Sequence, residues 1–162
     1  MTRISPTDTE GGLYQRIMAH RPEILEKWTE LDNLMRFSGV LSPELKEEVR
    51  RALAPAAGCV FCSSLAKARE VHPDRRESLA VAYALMLCED HHDVDDSTFA
   101  VLREEFTEPE IVELTMWALF MTAGQAYGHV VSLPPAEPEE IEAYAAWTEA
   151  GRAEAASHAA TA

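Results

Sequence analysis

The sequence predicts an all-α protein, and three observations carry that reading. Strand signals are scarce, while Ala, Leu and Glu abound. Apolar residues recur at three- and four-residue steps in one segment after another, the period of a helix face. Helix-start signals, Ser42-Pro43 and Thr107-Glu108-Pro109-Glu110 among them, stand directly before those segments.

Residues 1–12 are polar and end in Gly11-Gly12, which reads as a loose arm. Leu13 to Ala19 offers one or two helical turns before His20-Arg21-Pro22 interrupts. Pro22 suits a first helical position. Ile24, Leu25, Trp28, Leu31 and Met35 then recur at helical steps, predicting a helix over 22–36. Ser42-Pro43 opens the next helix, with Leu45, Val49, Leu53 and Ala56 as its stripe and Glu47, Glu48, Arg50 and Arg51 off it. Pro55 comes late and should end or kink this helix. A helix over 59–71 is expected to stop at His72-Pro73-Asp74. One over 75–91 follows, its buried side made of Leu79, Tyr83, Met86 and Leu87. Val94-Asp95 ahead of Phe99 reads as a cap with a hydrophobic staple, opening a short helix with Leu102 and Phe106. Thr107 to Glu110 is a capping box, with Phe106 and Ile111 at its staple positions. It begins the most apolar helix, 108–131, carrying Leu114, Trp117, Phe120 and Met121. A helix apolar all round is central or lies at a subunit interface. In its later half Ala123, Gly124, Ala126 and Gly128 permit close backbone approach. Leu133-Pro134-Pro135 closes the unit, and a Glu- and Ala-rich helix over 137–155 is an appendage whose last residues fray. The organisation is therefore an arm (1–21), a helical domain (22–134) and a C-terminal helix and tail (135–162).

A chain of 162 residues suffices for one domain with a real core. Fourteen Lys and Arg against 28 Asp and Glu give a formal net charge of −14, and the basic residues form no face. Neither nucleic acid nor an anionic membrane is an expected partner. No apolar run approaches the ~18 residues of a membrane span, and the first residues lack the apolar core of a secretory signal. Three cysteines, an odd number, do not make a secreted disulfide framework. A cytoplasmic setting, where a Cys-x-x-Cys step is redox-active or binds metal, fits better.

Two of those cysteines form Cys59-Val60-Phe61-Cys62, after the small-residue segment Pro55-Ala56-Ala57-Gly58. Placed where a helix begins, such a pair can form a reversible disulfide. The helix N-terminus stabilises a thiolate, and thiols in this step fall to roughly 7 or lower from about 8.5. Metal sites use the same step. Cys88-Glu89-Asp90-His91 completes a zinc-type set of Cys59, Cys62, Cys88 and His91, which a hairpin turning near Pro73 would bring together. The 25 residues between Cys62 and Cys88 exceed the ~15–20 of the usual zinc pattern, so the reading without metal is preferred. His91 and His92, beside Asp93, Asp95 and Asp96, are explained by a helix C-terminus followed by the caps of the next helix. Cys88 reads as a small core residue, and Trp117, Tyr127, Tyr83 and Phe61 as core or as the lining of an apolar pocket beside the thiols.

Four stretches, in this order and spacing, resemble the alkylhydroperoxidase D / carboxymuconolactone decarboxylase family. They are Leu41 to Glu48, Gly58 to Cys62 with Glu47 twelve residues before Cys59, His91 to Phe99, and Phe106 to Thr115. The resemblance covers about residues 31–131. It implies an alkylhydroperoxidase D-like helical bundle with the Cys-x-x-Cys at a helix N-terminus, assembled as a homotrimer or homohexamer. In redox-active members the two cysteines form a reversible disulfide and an upstream glutamate relays protons, roles that map onto Cys59, Cys62 and Glu47. A histidine four residues after the second cysteine maps onto Ala66, and one just before that cysteine, present in some members, maps onto Phe61; both are missing here. An ionised Glu47 beside a thiol disfavours the thiolate, so it would help only as a proton carrier. A substitute base is then sought in His91, His92 or His129.

The function that follows is a thiol-dependent peroxidase or disulfide oxidoreductase with no bound cofactor beyond a redox-active disulfide. Its substrate would be a peroxide or disulfide, and its reductant a dithiol, either a lipoyl group or a thioredoxin-like partner. Two alternatives stand beside it: a cofactor-free lyase, decarboxylase or isomerase on the same fold, and a non-catalytic oligomeric module with a structural zinc or disulfide.

Overall fold

The structure is a computed structural model that describes residues 1–159. Among the described residues eight α-helices run in order: α1 Leu13–Met18, α2 Pro22–Phe37, α3 Pro43–Ala56, α4 Val60–Leu65, α5 Arg75–Glu89, α6 Asp96–Leu102, α7 Glu108–Val130 and α8 Pro138–Ala159, with one 3-10 turn at His91–Asp93. The all-α class holds, with no strand among the described residues. The fraying expected of the final residues falls largely outside them.

The start signals act as read. Ser42 Oγ accepts from Leu45 N at 3.2 Å with Pro43 at the first position of α3. Asp95 Oδ1 accepts from Thr98 N at 3.0 Å ahead of α6, and Glu110 Oε2 accepts from Thr107 N at 2.8 Å at the head of α7. Each contact satisfies one of the amides that a helix leaves orphaned in its first turn.

Helices α3, α5 and α7 enclose the main core, where Val49, Leu53, Ala80, Ala84, Leu114 and Trp117 pack together. Trp117 is fully buried and gives its indole N–H to the carbonyl of Lys46 at 2.7 Å, so its polar edge is satisfied there. A second, smaller cluster joins Ile17, Ala54, Cys59, Phe61, Cys62, Val131 and Leu133, with Tyr14, Leu65 and Ile141 against it.

Four expectations are corrected. The charged positions placed off the α3 stripe do not face water: Glu47, Glu48 and Arg50 are buried, as is Lys46. They are tolerated because each is paired, Lys46 with Glu113 at 2.7 Å and Glu47 with Arg50 at 2.9 Å. Helix α4 ends at Leu65 instead of continuing to residue 71. Beyond it the chain is drawn across α3, where Arg69 N donates to Glu48 Oε1 at 2.6 Å and the Arg69 guanidinium pairs with Glu77. On α5 and α2, Met86, Ile24 and Leu31 are exposed; Ala80, Val81 and Ala84 take the buried side of α5 beside Tyr83 and Leu87. Finally, α8 is not an appendage. It packs on α4 and α2, with Trp147 against Phe37 at a centroid distance of 5.2 Å, and it supplies one wall of the cavity described next.

Candidate functional site

The end of α3 delivers the cysteines. Pro55 lies in its last turn, and Gly58 adopts a left-handed φ of +71°, a conformation glycine takes without a Cβ penalty. Cys59 N then donates back to the carbonyl of Ala54 at 3.1 Å. The reversal puts Cys59 at the N-cap of α4, and Cys62 N donates to Cys59 Sγ at 3.2 Å. Cys59 and Cys62 are joined as a disulfide, with Cα atoms 5.2 Å apart. Gly128 of α7 presses on this pair: a Cβ there would lie 2.8 Å from Cys59 Sγ and 3.7 Å from Cys62 Sγ.

The two sulfurs are unequal. Cys59 is 1% exposed and sits behind the other. Cys62, 7% exposed, lines a cavity of about 640 Å³ bounded by α1, α2, α3, α4, α7 and α8. Its walls are chiefly apolar, with Leu25, Trp28, Phe61, Leu65, Met121 and Trp147. Of the four aromatic residues considered from the sequence, only Phe61 lines it. Trp117 and Tyr83 belong to the main core, and Tyr127 packs edge-on against Tyr14 at 5.5 Å.

Glu47 does not contact the sulfurs. Its Oε2 accepts from Arg50 Nε at 2.9 Å, Arg36 Nη1 at 3.1 Å and Tyr144 Oη at 2.7 Å. Its Oε1 accepts from Arg50 Nη2 at 2.9 Å and Arg51 Nε at 3.0 Å. Burial alone would raise its pKa, but the guanidinium charges of Arg50 and Arg36 and the Tyr144 hydroxyl outweigh burial and hold the carboxyl at about 2. The connection to the cysteines runs through Arg50, whose Nη1 donates to the carbonyl of Cys62 at 3.1 Å. Burial pushes the Tyr144 hydroxyl up to about 12, so it stays a neutral donor.

The sequence missed Arg50, Tyr144, Gln125 and Gly128 as site residues. Arg50 carried a usable signal, since it lies one helical turn after Glu47 and such pairs share a face. Gly128 was noted only for close packing, and Tyr144, 97 residues from Glu47, had no local signal.

The candidate relay histidines lie elsewhere. His129 is exposed, and its Nδ1–H donates to the carbonyl of Gly58 at 2.9 Å, anchoring the turn before Cys59. His91 and His92 stand exposed on the 3-10 turn, their rings tilted by 37° with centroids 4.1 Å apart, and His92 Nδ1 is bonded to Asp90 at 2.8 Å. Ala66, where the family histidine is expected, caps the C-terminal end of α4 with an extended backbone. The zinc-type set is not assembled. Cys88 packs against the main core while Cys59 and Cys62 belong to the second cluster. The metal-competent groupings among the described residues, Asp90-His91-His92 and Glu48-His72-Glu77, contain no cysteine.

No helix among the described residues is long and apolar enough to cross a membrane. No family model matches the chain, and no curated protein matches it. Solved structures do. A peroxidase-related protein from Silicibacter sp. TM1040 superposes with a TM-score of 0.69 at 14% identity, covering 80% of this chain and 78% of its own. An alkylhydroperoxidase AhpD core, a peroxidase-related protein from Ralstonia eutropha JMP134, gives a TM-score of 0.65 at 21% identity, covering 79% and 78%. The fold of this chain is that of the alkylhydroperoxidase D-like helical proteins.

Proposed function

We propose that the chain is a thiol-dependent oxidoreductase of the peroxidase type, working through Cys59 and Cys62. The observation that carries this reading is the placement of a Cys-x-x-Cys disulfide in the wall of an apolar cavity, with Cys62 lining the cavity and Cys59 buried behind it. The two neighbours described as peroxidase-related share this fold and support the same reading.

In the reduced protein the Cys62 thiolate attacks the distal oxygen of a hydroperoxide. The S–O bond forms, the O–O bond breaks, and the alcohol leaves after taking a proton. Cys59 then attacks the Cys62 sulfenic sulfur, closing the disulfide and releasing water. The peroxide gains two electrons and the dithiol loses two. In the return half a thiolate of a dithiol reductant, lipoyl or thioredoxin-like, attacks Cys62 Sγ and expels Cys59 as thiolate. The reductant's second thiol then resolves the mixed disulfide. A disulfide substrate enters by the same attack of Cys62.

Cys59 suits the leaving position because its sulfur already accepts the Cys62 amide, an interaction that strengthens with negative charge. Glu47 serves here as a positioning residue: it fixes Arg50, and Arg50 holds the Cys62 carbonyl. The protein acts in the cytoplasm as a homotrimer or homohexamer, for which Val112, Met116 and Leu119 on the outer face of α7 provide exposed apolar surface.

The test is thiol titration by mass spectrometry before and after peroxide, then after a dithiol, with Cys59→Ser and Cys62→Ser as controls. Reversible loss of two thiols within one chain is expected, and with Cys59→Ser a sulfenic acid that persists on Cys62. Thiols inert to peroxide and to disulfides alike would sink the reading.

A further inference from the structure

The cavity beside Cys62 carries its charges unevenly. Its two cations, Arg36 and Arg50, are buried and already committed. Arg36 lies 3.0 Å from Asp32 and 3.1 Å from Glu47, and Arg50 lies 2.9 Å from Glu47. Aromatic rings of the same wall stack on them as well. The Arg36 guanidinium is 4.8 Å from the centre of the Trp147 ring, and that of Arg50 is 5.0 Å from the centre of the Tyr144 ring. A ligand anion would have to displace Glu47 or Asp32 to claim either charge, and would otherwise give up its hydration without return.

The acids are placed differently. Asp32 is matched by Arg36, but Glu139 and Glu140, in the first turn of α8, have no Lys, Arg or His partner among the described residues. Glu139 is exposed and Glu140 half-buried, so both stand where the cavity meets solvent. Glu140 accepts from Leu13 N at 2.7 Å and from Glu137 N at 3.1 Å, backbone donors that hold the carboxylate in place and leave its charge uncancelled. The formal net charge of −14 on the whole chain has the same sign. Charge of one sign at the rim of a low-dielectric cleft raises the local concentration of the opposite ion and slows the entry of its own kind.

We infer that the rim formed by Glu139 and Glu140 sorts the molecules that reach Cys62 by charge. It admits disulfides or hydroperoxides that carry an ammonium group ahead of uncharged ones, and it turns away those that carry a carboxylate or a sulfonate. The apolar walls then hold the uncharged part of the molecule, in a cavity of about 640 Å³ that falls within the range of small-molecule sites. As a statement about substrates this rests on the redox reading above; as a statement about access to Cys62 it does not.

The experiment measures how fast Cys62 of reduced Cys59→Ser is modified by 2-(trimethylammonium)ethyl methanethiosulfonate and, separately, by its anionic counterpart of similar size, 2-sulfonatoethyl methanethiosulfonate. The Cys62 thiolate attacks the sulfenyl sulfur, an S–S bond forms, and methanesulfinate leaves; mass spectrometry of the peptides separates the Cys62 adduct from any on Cys88. The fraction of thiolate cancels in the ratio of the two rates, and dividing by the ratio for 2-mercaptoethanol removes the reagents' own reactivities. That normalised ratio is expected to favour the cation about tenfold at low ionic strength, and to fall toward one at about 1 M salt, where the Debye length is about 3 Å. Glu139→Lys should remove most of the preference. Asp93→Lys, the same reversal on an exposed turn outside the cavity lining, should leave it in place. A normalised ratio near or below one, an equal loss in both lysine variants, or no labelling of Cys62 by either reagent overturns the inference. If Cys59→Ser does not fold, loss of both thiols in the reduced wild type gives the same ratio, because Cys59 displaces the adduct from Cys62. Thiols inert to peroxide and to disulfides would remove the redox reading and leave a charge preference toward these stronger electrophiles standing. A ratio of one in a protein whose thiols still cycle would do the reverse.

Discussion

Replacing Glu47 by glutamine tests whether this carboxylate holds the site together or carries protons. The side chain is buried and meets three guanidinium groups and one phenol. Its carboxyl is held at about 2 in the folded protein against an ordinary value of 4.5. At 1.36 kcal/mol per pKa unit, that depression corresponds to about 3 kcal/mol of stability at neutral pH. A second route gives a similar size, since removing one member of a buried ion pair typically costs about 3–5 kcal/mol. Because the folded value lies below the unfolded one, the contribution is complete above about pH 5. It is lost as the pH falls through the interval from about 4.5 down to about 2. Urea unfolding of the oxidised protein at pH 7 should therefore show Glu47→Gln about 3 kcal/mol less stable, with an unchanged m-value. Between pH 5 and pH 3 the wild type should lose stability more steeply than the variant. A variant within about 1 kcal/mol of wild type at pH 7, falling with the same acid slope, would refute the anchoring role. If such a variant also lost peroxide turnover, the proton-carrier role would be restored.

Tyr144→Phe keeps the ring over Arg36 and Arg50 but removes the 2.7 Å bond to Glu47; urea melts should show a loss of about 2 kcal/mol, the scale of a hydrogen bond to a charged group. Gly128→Val places side-chain atoms against both sulfurs. It should cost about 1–3 kcal/mol by overpacking, read as a lowered midpoint in thermal unfolding of the oxidised protein. In the reduced protein, mass-resolved alkylation with iodoacetamide should label Cys62 well before Cys59, because only Cys62 lines the cavity; equal rates would contradict the assignment of the two sulfurs.

What the sequence disclosed and what it hid divide along a physical line. Features settled by neighbours within one or two turns were readable: the Ser42, Asp95 and Thr107 starts, the buried stripe of Leu45, Val49 and Leu53, and the turn that exposes the head of α4 to the end of α3. Features settled by partners far along the chain were not. Glu48 looks like a solvated charge until the Arg69 amide is brought to it, and Arg50 until its guanidinium meets the Cys62 carbonyl. Helix α4 stops short of residue 71 for the same cause: the Arg69 amide, which a longer helix would bond to its own carbonyl four residues back, goes to Glu48 instead. The cysteine pair was visible as a motif, yet which sulfur meets the cavity depends on α1, α7 and α8 together, and no spacing encodes that.

The division of the interior into two clusters has a consequence for the proposed redox cycle. The Cys59–Cys62 bond belongs to the smaller cluster, which draws on α1, α4 and the chain from Val131 to Ile141. The larger cluster of α3, α5 and α7 contains neither sulfur. Opening the bond is therefore expected to loosen this smaller cluster, while the core of α3, α5 and α7 keeps its own free energy of unfolding. Hydrogen exchange in α1 and α4 would then report the redox state, and amides in the middle of α5 would be blind to it.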